Sequence, residues 1–177
     1  MRSSNVRVAV GVVVFGLCIA AAAAAQAPDR VTYFEDSIAE KGDRNHIIRL
    51  AGGSDWVLSE PTLAAIQSDV MVVMRDVLVE GKPVRAAWMY VGGAEIPAKH
   101  VEGVFPTNQA FLTRVTAAED RGTKLRLADG TELLLPGYNS YISSKWIPPY
   151  KALLTSNRDY LYNLKEGRRV FVQPAKK

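Results

Sequence analysis

From Lys124 to Leu135 the chain reads Lys-Leu-Arg-Leu-Ala-Asp-Gly-Thr-Glu-Leu-Leu-Leu, with apolar and polar side chains alternating on either side of a glycine. Period-two alternation marks a strand with one buried face. A three-residue loop, Ala128-Asp129-Gly130 with Gly130 left-handed, sets Leu127 opposite Thr131, Arg126 opposite Glu132 and Leu125 opposite Leu133. The leucines then share one face and the opposite charges pair on the other. A two-residue loop would set Leu127 against Glu132, so the side chains specify the register.

The same pattern occurs earlier. Arg49–Asp55 parallels Arg126–Glu132, identical at four of seven positions with two conservative exchanges, and predicts Arg49 opposite Asp55 and Ile48 opposite Trp56. Both copies run into a proline-containing turn, Glu60-Pro61 and Leu135-Pro136. Two readings stand side by side: two related β units, 46–101 and 109–173, each opened by an equivalent hairpin, or convergence of two short stretches on a favoured turn.

The long apolar run 69–79 predicts a strand, which Glu80-Gly81-Lys82-Pro83 turns into a second over 84–90. Gly92-Gly93 leads into a third at 94–96, and further strands are expected over 109–117 and 168–172. Helix is scarce. The 60–66 stretch predicts about two turns, capped by Ser59 with Pro61 in the first turn. Tyr150–Lys165 fits a helix loosely through Leu153, Leu154, Leu161 and Leu164, but Ser156-Asn157 interrupts it. The 137–150 stretch is expected to be irregular, and 26–45 is expected to be a flexible lead-in to a single compact domain over 46–177. The expected fold is mainly β: a small barrel or paired SH3-like lobes built from antiparallel hairpins, with one or two short helices. A β-sandwich is the alternative.

Residues 1–25 have the layout of a cleaved secretion signal: Arg2 and Arg7, an uncharged run from Val8 to Ala25, and small residues at Ala23 and Ala25 before Gln26. A permanent membrane helix is the rival reading. The alanine-rich run, the lack of a basic stop-transfer cluster and the polar Asp29-Arg30 count against it. Cys18 does not mark a lipidation site, since Leu17 stands where a small residue is needed. Export predicts a periplasmic or secreted protein of bacterial type with no membrane span after cleavage. Arg2 and Arg7 leave with the signal, so the net charge falls from +4 to +2, which is no footprint of a nucleic-acid binder. The cleaved chain has no cysteine, and its stability rests on an apolar core.

Candidate chemistry is sparse. His46 and His100 lie 54 positions apart and announce no metal site. Glu35, Asp36, Glu40 and Asp43 are interleaved with Lys41 and Arg44, which reads as a solvated face. Glu119-Asp120-Arg121-Gly122 reads as a polar turn. The glycine pairs lack a phosphate cradle's strand–loop–helix setting, no nucleophile elbow appears, and no cofactor is implied. The strongest functional signal is aromatic: Tyr138, Tyr141, Trp146 and Tyr150 within fourteen residues, separated by Asn, Ser and Lys. Exposed, such rings stack on sugars or grip an extended peptide; buried, they close the open end of a barrel. The leading expectation is a non-enzymatic envelope binding module that contacts a peptide, glycan or envelope protein through these four rings. A structural or assembly subunit, using the 70–79 run as a sheet edge, is the alternative. An envelope hydrolase using carboxylates such as Glu95, Glu102 and Glu119 is the third reading.

Overall fold

The structure, a computed structural model, describes residues 28–175. The signal reading, its cleavage point and Cys18 lie outside the described residues. The first lobe contains β1 (Asp29–Gly42), β2 (Ile47–Leu50), β3 (Asp55–Leu58), β4 (Asp69–Val79), β5 (Lys82–Val91) and β6 (Ala94–Glu102). These strands pair in the closed antiparallel circuit β1-β2-β3-β6-β5-β4 and back to β1. The second lobe contains β7 (Asn108–Glu119), β8 (Lys124–Leu127), β9 (Glu132–Leu134), the short helix α1 (Tyr138–Ser143), β10 (Tyr150–Thr155), β11 (Tyr160–Asn163), β12 (Arg168–Phe171) and β13 (Gln173–Pro174). Its pairing repeats the circuit, with the sixth strand broken at Val172 into β12 and β13. Each ring encloses its own core, around Trp56, Met89 and Val72 in the first lobe and around Leu125, Leu133 and Leu161 in the second. The molecule is therefore mainly β and barrel-built, as the hairpins imply, and not a sandwich.

Both predicted hairpins form in the predicted register: Arg49 faces Asp55, Ile48 faces Trp56, Arg126 faces Glu132 and Leu125 faces Leu133. The likeness between the lobes extends well beyond seven residues. At a spacing of 77 positions, residues 43–58 and 120–135 are identical at seven of sixteen sites. Before each hairpin an Asp-Arg turn holds non-glycine residues at positive φ, Asp43-Arg44-Asn45 and Asp120-Arg121. β1 and β7 carry a register shift at the same place, after Ile38 and after Val115. Equivalent backbone bonds close both units: Ala51 N–H to Ser37 C=O and Ala128 N–H to Arg114 C=O, Leu58 N–H to His46 C=O and Leu135 N–H to Thr123 C=O. The two units thus share the bulge, the Asp-Arg turn and the circuit as well as the hairpin.

The lobes meet through β1 and β7, which pair antiparallel with Thr32 opposite Gln109. These two positions are themselves equivalent, and Tyr33–Asn108 mirrors Val31–Ala110, so the seam is isologous about a local two-fold. A third apolar layer, including Val31, Met71, Val73, Leu112 and Leu153, fills the space behind it.

Three expectations are corrected. The 29–42 stretch is not a lead-in but the central strand of the fold, so the first unit begins at β1 and not at residue 46. The 60–66 stretch forms no helix. The Thr62 N–H bonds to Asn45 C=O and the Ala64 C=O accepts from Lys41 Nζ, which ties this connection to β1 and its turn. Tyr150–Lys165 is a strand–turn–strand, β10 and β11, and not a helix.

Candidate functional site

The four predicted rings separate into two pairs. Tyr138 and Tyr141 stand on α1, 73% and 59% exposed, with ring centres 6.2 Å apart. Lys145 lies over the Tyr141 ring and donates to its hydroxyl at 3.0 Å, which lowers the pKa of that phenol. Trp146 and Tyr150 are each only 5% exposed and pack edge to face in the core of the second lobe. Both are buried among the apolar side chains of that core, so of the four rings only Tyr138 and Tyr141 face solvent. The buried Tyr150 hydroxyl has no hydrogen-bond partner among the described residues, and burial pushes its pKa up.

Both histidines are half-buried: His46, in the turn before β2, has Nδ1 3.1 Å from Leu58 C=O, and His100, on β6, is flanked by Trp56 and Phe105. The proposed hydrolytic carboxylates are each matched by a cation. Glu95 pairs with Lys151, Glu119 lies 2.9 Å from Arg126, and Glu102 lies 4.0 Å from Arg49.

A groove of about 670 Å³ lies between the lobes. The first lobe contributes Glu35 and Asp36 of β1, the start of β4 and the end of β5 with its Gly92-Gly93 turn. The second contributes the end of β11, the turn after it and the start of β12. At one end the two turns nearly touch. A Cβ on Gly93 would lie 3.3 Å from Lys165 C=O, and Gly93 has φ +83°, so this approach requires glycine.

One polar cluster spans the lobe boundary at this groove. The Tyr162 hydroxyl donates to Glu35 Oε1, and Arg169 Nη1 donates to the same oxygen at 3.1 Å and to the Tyr162 oxygen at 3.0 Å. The Arg169 guanidinium also lies over the rings of Tyr160 and Tyr162. Burial, followed by donation to Glu35, raises the pKa of Tyr162 and keeps the phenol protonated. Burial likewise raises that of Tyr90, with Glu95 adding to the effect. Asp36 is fixed by the N–H groups of Gly52, at 3.0 Å, and Ser37, at 2.8 Å. From the groove an aromatic strip leads outward: Arg169 over Tyr160, Tyr160 against Phe171, and Phe171 N–H bonded to Asn139 Oδ1 of α1.

Sequence reading missed Glu35, Tyr162 and Arg169 as a group because they come together over separations of 127 and 134 residues. Their local cues were an acidic stretch and an ambiguous leucine pattern. Comparison with protein-family models, curated proteins and solved structures returns no match.

Proposed function

We propose that this chain is an exported interaction module of the bacterial envelope, periplasmic or secreted, that holds an extended peptide, glycan or segment of an envelope protein in the groove between its lobes. The observation that carries the reading is the Glu35–Tyr162–Arg169 cluster, assembled across the lobe boundary on the wall of a groove of about 670 Å³. That volume falls in the range of small-ligand sites, and a few fixed polar groups on a partly apolar wall give such sites their specificity. The strip through Tyr160 and Phe171 towards Tyr138 and Tyr141 would extend the contact along a longer ligand. The binding surface thus shifts from the four-ring loop to the lobe boundary, with α1 as its outer margin.

Amide-shift mapping with extended peptides and envelope glycan fragments tests this. The expected shifts fall at residues 35–36, 68–71, 90–93 and 162–169, and they weaken in Tyr162→Phe and Arg169→Gln. Shifts confined to α1, or a groove silent to every probe, would remove the reading.

One observation favours the assembly-subunit alternative. Residues 70–74 are not an edge, since they pair with β1 on one side and β5 on the other. Beyond Met74, β4 and β5 project as a two-stranded arm whose tip exposes Leu78, Val79 and Val84. An unpaired strand edge invites a partner strand. Sedimentation of the protein with and without residues 76–85, replaced by a tight turn, decides it: an arm-dependent oligomer supports assembly, and a monomer in both cases excludes self-association.

A further inference from the structure

The equivalence of the lobes allows each wall of the groove to be compared with its counterpart. Ser37 pairs with Asp69 as Arg114 pairs with Lys151, which makes Asp69 and Lys151 corresponding residues. Tyr90 pairs with Glu95 as Tyr162 pairs with Arg169, which makes Glu95 and Arg169 corresponding residues. On one side of the local two-fold, Glu95 and Lys151 form an ion pair that joins the lobes. Their counterparts, Arg169 and Asp69, have the opposite charges but do not pair. Arg169 turns instead to Glu35, which stands where the second lobe has the buried Leu112. Asp69 is left with no ion pair among the described residues, and the groove opens at that place.

The result is a groove with oppositely charged walls. The first lobe presents Glu35, Asp36 and Asp69, and the second presents Lys165, Arg168 and Arg169 alongside Glu166. Glu35, Asp36 and Arg169 already have partners, while Asp69 on one wall and Lys165 and Arg168 on the other are exposed. We infer that the groove selects a dipolar ligand, a short peptide with both ends free, whose ammonium faces Asp69 and whose carboxylate faces Arg168 and Lys165. Charge-assisted hydrogen bonds at both ends would complete across a ligand the contact that the lobes themselves make on the other side. The inference rests on the groove being the ligand site.

Amide-shift titration with di-, tri- and tetra-alanine tests it, each peptide prepared free, N-acetylated, C-amidated and doubly capped. The series changes the charge separation in steps of roughly 3.4 Å. One free-ended member is expected to shift residues 68–71, 92–93 and 163–169, and capping either end weakens binding about ten-fold. Asp69→Asn is expected to erase the preference for a free ammonium, and Lys165→Gln with Arg168→Gln the preference for a free carboxylate. These side chains are exposed, so an unchanged amide spectrum confirms that each variant is folded. Doubly capped peptides that bind the groove equally well overturn the charge inference and leave the groove as a ligand site. A groove silent to the whole alanine series overturns the inference too, while glycans and longer peptides then decide the site separately. Shifts lying elsewhere overturn both.

Discussion

The two lobes share a circuit, a bulge, an Asp-Arg turn and a charged hairpin, and they differ only in what is hung on that frame. Between the third and fourth strands the first lobe has an irregular tether from Ser59 to Ser68, where the second has α1 and the buried Trp146. Between the fourth and fifth strands the first lobe extends an arm to Glu80-Gly81, where the second turns within Ser156–Asp159. At the seam, Glu35 in one lobe answers Leu112 in the other. The parts held in common build a barrel. The parts that differ create the groove, the arm and the exposed rings, so the candidate functional features lie where the repeat is broken.

Paired substitutions sharpen this contrast. The largest effect is expected at the core: Trp56→Ala, which removes a fully buried indole whose N–H donates to Ser54 Oγ, should cost about 3–5 kcal/mol. Its counterpart Leu133→Ala should cost about 2–5 kcal/mol. Both losses should appear in a single denaturant transition by circular dichroism, because β1 and β7 each belong to a ring and to the seam. Two separate transitions would mean that the lobes unfold independently.

Next in size is the Asp-Arg turn. In the second lobe α1 packs on Gly122, where a Cβ would lie 2.5 Å from Ser144 N and φ is +83°. Gly122→Ala should therefore cost about 2 kcal/mol or more. The equivalent Asn45, also at positive φ, has no helix over it, and Asn45→Gly should be neutral or stabilising by up to about 1 kcal/mol. Thermal denaturation compares the two.

A smaller contrast concerns the buried phenols. Tyr162→Phe should cost about 1 kcal/mol through loss of its bond to Glu35, whereas Tyr150→Phe removes a hydroxyl with no partner and should cost nothing. Both pKa values are raised in the folded state from the ordinary value of 10.0. Above about pH 10 the unfolded chain releases these protons while the folded chain retains them, so stability holds below that pH and falls as pH rises beyond it. Either Phe variant should flatten this alkaline loss, measured by denaturant midpoints between pH 8 and 11. The smallest effect is expected at the exposed Arg49–Asp55 and Arg126–Glu132 pairs. Removing either pair should leave the denaturation midpoint almost unchanged in moderate salt.

The hairpins were legible because each buries one face only, so their leucines and charges alternate. β4 and β10 bury both faces. Val70, Val72 and Met74 enter the ring core while Met71 and Val73 enter the layer between lobes, which turns alternation into a continuous apolar run. In β10, Ala152 and Leu154 face one core and Leu153 the other, and with Leu161 and Leu164 the spacing imitates a helix. β1 was hidden by its acids. Val31 and Tyr33 enter the layer between lobes while Phe34 and Ile38 turn to the ring core, and Glu35 and Asp36 between them make the segment look solvated. Those two carboxylates line the groove, so the residues that disguised the strand belong to the candidate site. The Glu35–Tyr162–Arg169 cluster has no local signature, since its parts lie on three strands and meet only after both rings have closed.

The seam also has a consequence in time. The first described strand finds its counterpart only when Asn108–Leu112 has arrived, and until then Asp29–Tyr33 has no neighbour on that side. A chain delivered amino end first can therefore pair Thr32–Ser37 with β4 and Ile38–Gly42 with β2 as those strands emerge, while the edge of Asp29–Tyr33 waits for the second lobe. The first ring can thus close on its own, and the joining of the two lobes comes last.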